Sequence, residues 1–65
     1  MNTPQNKIKQ YREAKGMSIG QLAAKVGVCY QTVSGWEDGY SQPRVFNAIC
    51  LAQALGTTVE ELFSP

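Results

Sequence analysis

Apolar positions recur along the chain at intervals of three and four, and no run alternates apolar with polar as a half-buried strand would. Glycine, proline and capping residues punctuate that pattern into five short helices. The first is expected to start after Thr3, with Pro4 at its first position, where the missing N–H costs nothing. It runs through Ile8, Tyr11 and Arg12 and stops at Gly16. The second has the clearest start, because Ser18 and Gln21 stand as a capping box and Met17 can reach Leu22 as a hydrophobic staple. It continues through Ala23 and Val26 to Gly27. A third helix follows after only Val28 and Cys29, carries Val33 and Trp36 on one face, and ends at Asp38-Gly39. Tyr40 to Pro43 reads as a loop, since Pro43 pushes Gln42 out of the helical region. The fourth helix presents Val45, Ile49, Ala52 and Leu55 as an apolar stripe and closes on Gly56. In the short fifth, Thr58 and Glu61 form a second capping box, and Glu60-Glu61 suit the positive N-terminal end. Val59, Leu62 and Phe63 are expected to fold back onto the core.

A chain of 65 residues has room for one domain, spanning 1–65, with a modest core. A domain that small buries only about 60% of the surface its unfolded form exposes. Hydrophobic residues at 43% suffice for a globular fold, and 17% charged is too few for disorder. Cys29 and Cys50 permit one bridge, but secreted disulfide scaffolds of this size are denser in cysteine. Without histidine, two lone cysteines cannot fill a four-ligand zinc site, and no cofactor or other metal is implied. Catalysis is disfavoured too, because five carboxylates in no paired arrangement supply no acid–base couple. The longest apolar run, Ala48 to Ala52, is far too short for a membrane span. The polar start MNTPQNKIKQ lacks the apolar segment of a secretion signal, so a cytoplasmic location is the default.

Net charge is only +1, but it is unevenly spread. Residues 1–45 carry six positive and three negative charges, and the remainder none and two. One end of the molecule is thereby suited to phosphate, although a plain solvated surface fits the same charges.

The informative stretch is Ser18 to Glu37. Two helices joined by so short a turn must cross steeply and closely. Close crossing needs a small residue, supplied by Ala23, and the reversal favours the left-handed backbone that Gly27 adopts without a Cβ penalty. Val33 then plugs the angle. A small residue, a glycine four later and a branched apolar residue six beyond that is a helix-turn-helix spacing.

From Lys7 to Phe63 the sequence resembles the phage repressor and Cro-like helix-turn-helix domains, the XRE family. The resemblance is carried by Ile8, Arg12, Gly16, Met17-Ser18, Leu22-Ala23, Val26-Gly27-Val28, Thr32-Val33-Ser34, Trp36-Glu37, Gly39, Pro43, Leu51-Ala52, Ala54-Leu55-Gly56 and Glu61-Leu62-Phe63. It implies a compact all-α, lambda-repressor-like bundle of five helices, with the helix-turn-helix at the second and third. It further implies a transcriptional regulator, in the main a repressor, whose third helix enters the major groove of a palindromic double-stranded DNA operator as a homodimer.

On a wheel of 3.6 residues per turn, Val33 and Trp36 point inward, so Gln31, Ser34, Gly35 and Asp38 point outward, with Tyr30 and Thr32 on the flanks. The candidate base contacts are Tyr30, Gln31, Thr32, Ser34 and Gly35. Gln31 leads, because its amide donates and accepts at once and matches adenine N6 and N7. Gly35 narrows that readout, since relatives often aim a side chain from this position. The candidate phosphate contacts are Ser18, Ile19, Cys29, Ser41 and Arg44. The first amides after Ser18 form an anion site by geometry and dipole, and the family grips the backbone here and in the loop before the fourth helix. Ile19 stands where relatives often have glutamine, and Cys29 where they have a capping serine. Lys7 and Lys9 add diffuse attraction.

The resemblance also makes Arg12 and Glu37 a largely buried structural ion pair rather than a DNA contact. Trp36, three residues from Val33, belongs to the core. Cys29 at a helix N-terminus is open to a redox reading, but a small filler accounts for it better. Tyr40 and Phe46 either support a dimer contact or cover the core. A protein-interaction module on the same scaffold, antitoxin-like or coactivator-like, stays open, because fold does not fix function.

Overall fold

The computed structural model describes residues 6–63, which form helices and connecting turns with no strand among them. The elements are α1 (Ile8–Ala14), α2 (Ile19–Val26), α3 (Tyr30–Glu37), α4 (Val45–Leu55) and α5 (Val59–Leu62). None of these helices is long and apolar enough to cross a membrane. The all-α, five-helix architecture is the one the periodicity called for.

The first four helices end alike. A glycine with positive φ closes each, and the next residue's N–H bonds back to the carbonyl five residues earlier. The pairs are Met17 to Arg12, Val28 to Ala23, Tyr40 to Gly35 and Thr57 to Ala52, at 2.9–3.1 Å. This closure satisfies carbonyls that the helix itself cannot.

Helix starts are less uniform. At α2 both halves of the capping box form: Gln21 N–H donates to Ser18 Oγ at 3.0 Å and Ser18 N–H to Gln21 Oε1 at 2.8 Å. At α5 only half forms. Glu61 N–H reaches Thr58 Oγ1 at 3.1 Å, while the Glu61 carboxylate lies instead 3.5 Å from the Tyr11 hydroxyl. α1 departs further from expectation. Thr3 and Pro4 lie outside the described residues, but the helix begins only at Ile8, after non-helical Asn6 and Lys7. Asn6 accounts for the late start, since its Oδ1 takes the Ile8 N–H at 3.1 Å and offers the backbone a turn in place of a helix.

The core gathers Ile8, Leu22, Ala23, Val33, Trp36, Leu51, Ala52, Leu55 and Leu62, with Met17, Ile19, Val59 and Phe63 packed against it. Fully buried leucines and isoleucines of this kind each contribute about 1.5–3 kcal/mol relative to exposure. Lys7 N–H donates to the Leu62 carbonyl at 2.7 Å and ties α5 to the start of α1.

The stripe on α4 needs correcting. Its buried residues are Ala48, Leu51, Ala52 and Leu55, whereas Val45 is 78% and Ile49 44% exposed. Spacings of three and four fit more than one face of a helix. The face chosen in the fold is the one pairing two alanines with two leucines, where α4 meets α2 and α5.

Candidate nucleic-acid interface

The bend between α2 and α3 is made by Gly27 at φ 85°, ψ 34°. The Ala23 carbonyl accepts from both Gly27 and Val28 N–H, at 2.8 and 3.0 Å, so the chain reverses within a single turn. Ala23 and Val33 are buried at that corner. An L side chain at Gly27 meets no neighbour, so the glycine answers to backbone conformation rather than to space.

This corner fixes which side of α3 looks outward. Val33, Trp36 and Glu37 are buried, while Tyr30, Gln31 and Asp38 are exposed. Thr32, Ser34 and Gly35 are half-covered, so the outer side is less open than a bare wheel suggests. Gly35 is covered by the chain that follows: Tyr40 and Ser41 N–H both donate to its carbonyl, at 2.9 and 3.3 Å. A Cβ at Gly35 would stand 3.1 Å from Ser41 Oγ. Beside this contact lies a shallow groove of about 380 Å³, lined by Tyr30, Gln31, Ser34, Gly35, Asp38, Gly39 and Tyr40.

On the inner side, Arg12 joins three segments. Its Nε donates to Glu37 Oε2 at 2.7 Å and a second guanidinium nitrogen to Glu37 Oε1 at 3.2 Å, a two-pronged pair nearly shut off from solvent. The remaining nitrogen donates to the Met17 carbonyl at 2.7 Å, just before α2. The hydrogen bond to Glu37 raises the Arg12 pKa above its ordinary value against the opposing effect of burial, with the attraction of the Glu37 charge adding to it. The guanidinium therefore stays charged and spoken for, and it is not presented to a ligand.

Asn6 was not legible as part of this arrangement. Its side-chain amide donates to the Trp36 carbonyl at 2.8 Å and gives the end of α3 a second tie beside that of Arg12 to Glu37. An asparagine just ahead of a helix is a turn signal, but it is masked when the helix is started at Pro4.

The residues expected to meet phosphate are placed as follows. Ser18 is exposed, but the capping box already occupies its hydroxyl and amide and the Gln21 amide. The first-turn donors left at α2 are the amides of Ile19 and Gly20. The Ile19 side chain packs against the core and offers nothing else. Gly20 is not required by packing, since a Cβ there meets only Ser18 Oγ at 3.8 Å, an ordinary contact. Cys29 is exposed, unbridged and makes no side-chain cap to α3; Cys50 is also a free thiol. Ser41 and Arg44 are exposed in the loop before α4, with Arg44 as the extended residue preceding that helix.

The sequence profile of the helix-turn-helix family matches residues 8–62. The chain belongs to this family. Its helix-turn-helix is 34% identical over 58 residues to an uncharacterised HTH-type transcriptional regulator of Methanocaldococcus jannaschii, covering 89% of this chain and 88% of that one. It is 31% identical to the HTH-type transcriptional activator BcrR of Enterococcus faecalis, where the match covers 89% of this chain but only 28% of the activator. Among solved structures, the restriction-modification controller protein C.AhdI of Aeromonas hydrophila superposes with a TM-score of 0.82 at 35% identity, over 88% of this chain and 86% of that one. The biofilm master regulator SinR, solved in complex with DNA, superposes at 0.77 with 33% identity, over 83% and 87%. The relatives whose names state a role are regulators rather than enzymes.

Proposed function

We propose that this helix-turn-helix chain is a cytoplasmic, sequence-specific double-stranded DNA-binding regulator of transcription that represses by occupying its operator. The observation that carries the reading is the division of α3, whose inner side is locked by Val33, Trp36 and Glu37 while Tyr30 and Gln31 stand free. The likeness to a regulator solved with DNA supports it. In this reading α3 lies in the major groove with its N-terminal residues at the base edges. Gln31 takes adenine, with Tyr30, Thr32 and Ser34 beside it, and Gly35 adds backbone only. The free Ile19 and Gly20 amides, Ser41 and Arg44 hold the phosphates, and Ser18 and Cys29 border that path.

A homodimer on a palindrome completes the proposal, with recognition helices about 34–36 Å apart. Val45, Phe46 and Ile49 support it, forming an exposed apolar stripe at the start of α4 that a second copy can cover. Phe46 and Tyr40, at 74% and 91% exposure, do not cover the core of the monomer.

Binding to duplex is expected to weaken linearly in log–log salt titrations, with a slope of about −0.9 for each phosphate neutralised. An absence of duplex affinity at low salt would move the chain to the protein-interaction reading. Gln31→Ala should lose about 1–3 kcal/mol of preference for operator over random duplex while leaving non-specific binding intact. Competition assays with both duplexes measure this, and an equal drop on every sequence would remove Gln31 from the base contacts.

A further inference from the structure

The two acids that end α3 are treated in opposite ways. Glu37 is buried and neutralised by Arg12. Asp38 is exposed and lines the groove on the outer side of α3, and among the described residues its carboxylate enters no ion pair. A negative charge at a helix C-terminus opposes the helix dipole, and α3 has no basic residue in its last turn to offset it. Asp38 thus does nothing for the fold of its own helix. On a surface meant for phosphate it is a further penalty, unless something there donates to it. Local rules broken without structural return are a mark of function.

Gln31, Ser34, Gly35 and Asp38 occupy positions i, i+3, i+4 and i+7, one continuous side of the helix. Homeodomain recognition helices, which lie along the groove, read bases from the same spacing, and α3 inclined along the groove in that way brings its C-terminal end to a base as well as its N-terminal one. From Gln31 to Asp38 the axial rise is about 10.5 Å, or about three base steps of 3.4 Å each. Gly35 adds no side chain to the middle of the stripe, which the turn at Tyr40 and Ser41 half-covers. The loop end adds a wall. Of the four residues that follow the closing glycines, Met17 and Val28 pack on the core and Thr57 is half-buried, whereas Tyr40 is 91% exposed. The hydrophobic partner that usually receives this residue is the one five positions earlier, and here that is Gly35. Tyr40 is left exposed and lines the groove together with Tyr30.

We propose that Asp38 is a specificity-determining residue of the DNA interface, accepting a hydrogen bond from the exocyclic N4 amino group of a cytosine about three base pairs from the one read by Gln31. Carboxylates accept from cytosine N4, and no other major-groove group of a G·C pair can donate to them. Opposite guanine or thymine the carboxylate meets acceptors only, so these two bases are rejected by repulsion as well as by a missing bond, whereas adenine sets its N6 donor beside the N7 acceptor. The proposal rests on the DNA-binding reading above.

Selection of bound sites from a random duplex pool, run in parallel for the wild-type chain and Asp38→Asn, tests it. The wild type should enrich a cytosine about three positions from its Gln31-read base. Asp38→Asn should keep the rest of the consensus and lose that cytosine, with the discrimination at that position falling about five- to tenfold. Asp38→Ala, which removes the acceptor altogether, should behave alike. The same consensus from the variants, with affinity rising evenly on all sequences, would show Asp38 to be only a repulsive charge and overturn the proposal. A wild-type chain that enriches nothing would overturn the DNA-binding reading itself, and this with it. Thermal melts of the variants, expected unchanged or slightly raised, separate either result from misfolding.

Discussion

Glu37→Gln is expected to lower the unfolding free energy by about 3 kcal/mol or more, the cost of leaving a buried charge without its counter-ion. The amide keeps one acceptor for Arg12 but removes the charge, and the guanidinium is too well enclosed to recover its water. A domain of 65 residues commands about 3–10 kcal/mol in all. At about 4–8 °C per kcal/mol for domains near this size, the variant should melt well below the parent. Urea unfolding measures it, and an unmoved midpoint would free Arg12 for the DNA surface after all. The paired replacement Arg12→Met with Glu37→Leu should recover most of the loss, because no charge is then stranded. The raised Arg12 pKa sets the pH behaviour. A cation whose folded pKa is raised stabilises at every pH below its unfolded value, and loses that effect only as pH climbs through the folded one. Arg12 therefore contributes no pH dependence between acid and moderately alkaline solution.

Trp36→Ala should cost about 3–5 kcal/mol. The ring is 3% exposed within the cluster that also holds Val33, Leu51 and Leu55. Asn6 meets Trp36 at its backbone carbonyl, a contact the substitution leaves in place, so the loss reports ring packing. Trp36→Phe should lose markedly less. Denaturant midpoints followed by far-ultraviolet circular dichroism measure both. Retained stability with lost duplex affinity in Trp36→Ala would make the tryptophan a recognition residue instead.

Elements marked by strong local chemistry were readable from the sequence. Ser18 with Gln21, Gly27, and the pairing of Val33 with Trp36 are local signals, and each stands in the fold as spaced. Failures arose where two local readings competed. Pro4 advertised a helix start that Asn6 postponed to Ile8, and the apolar residues of α4 fitted two faces until α2 and α5 selected one. The outer side of α3 was legible as a direction but not in its degree of cover. Gly35 is half-screened by Tyr40 and Ser41, a contact between segments that no helical wheel contains. Asp38 was visible as outward, but its sharing of a groove with Gln31 and Tyr40 depends on how the loop turns.

The grip on α3 from within has a mechanical corollary. Arg12 and Asn6 hold the C-terminal end of the helix and Val33 plugs its inner side, so it cannot roll about its own axis without opening the interior. In a bound state, misfit of shape must then be taken up by the nucleic acid, through local bending, twisting or a change of groove width. The energy of that distortion depends on base steps the protein never touches. Sites with pliant pyrimidine–purine steps beside the contacted bases should outrank stiff ones carrying the same contacted bases.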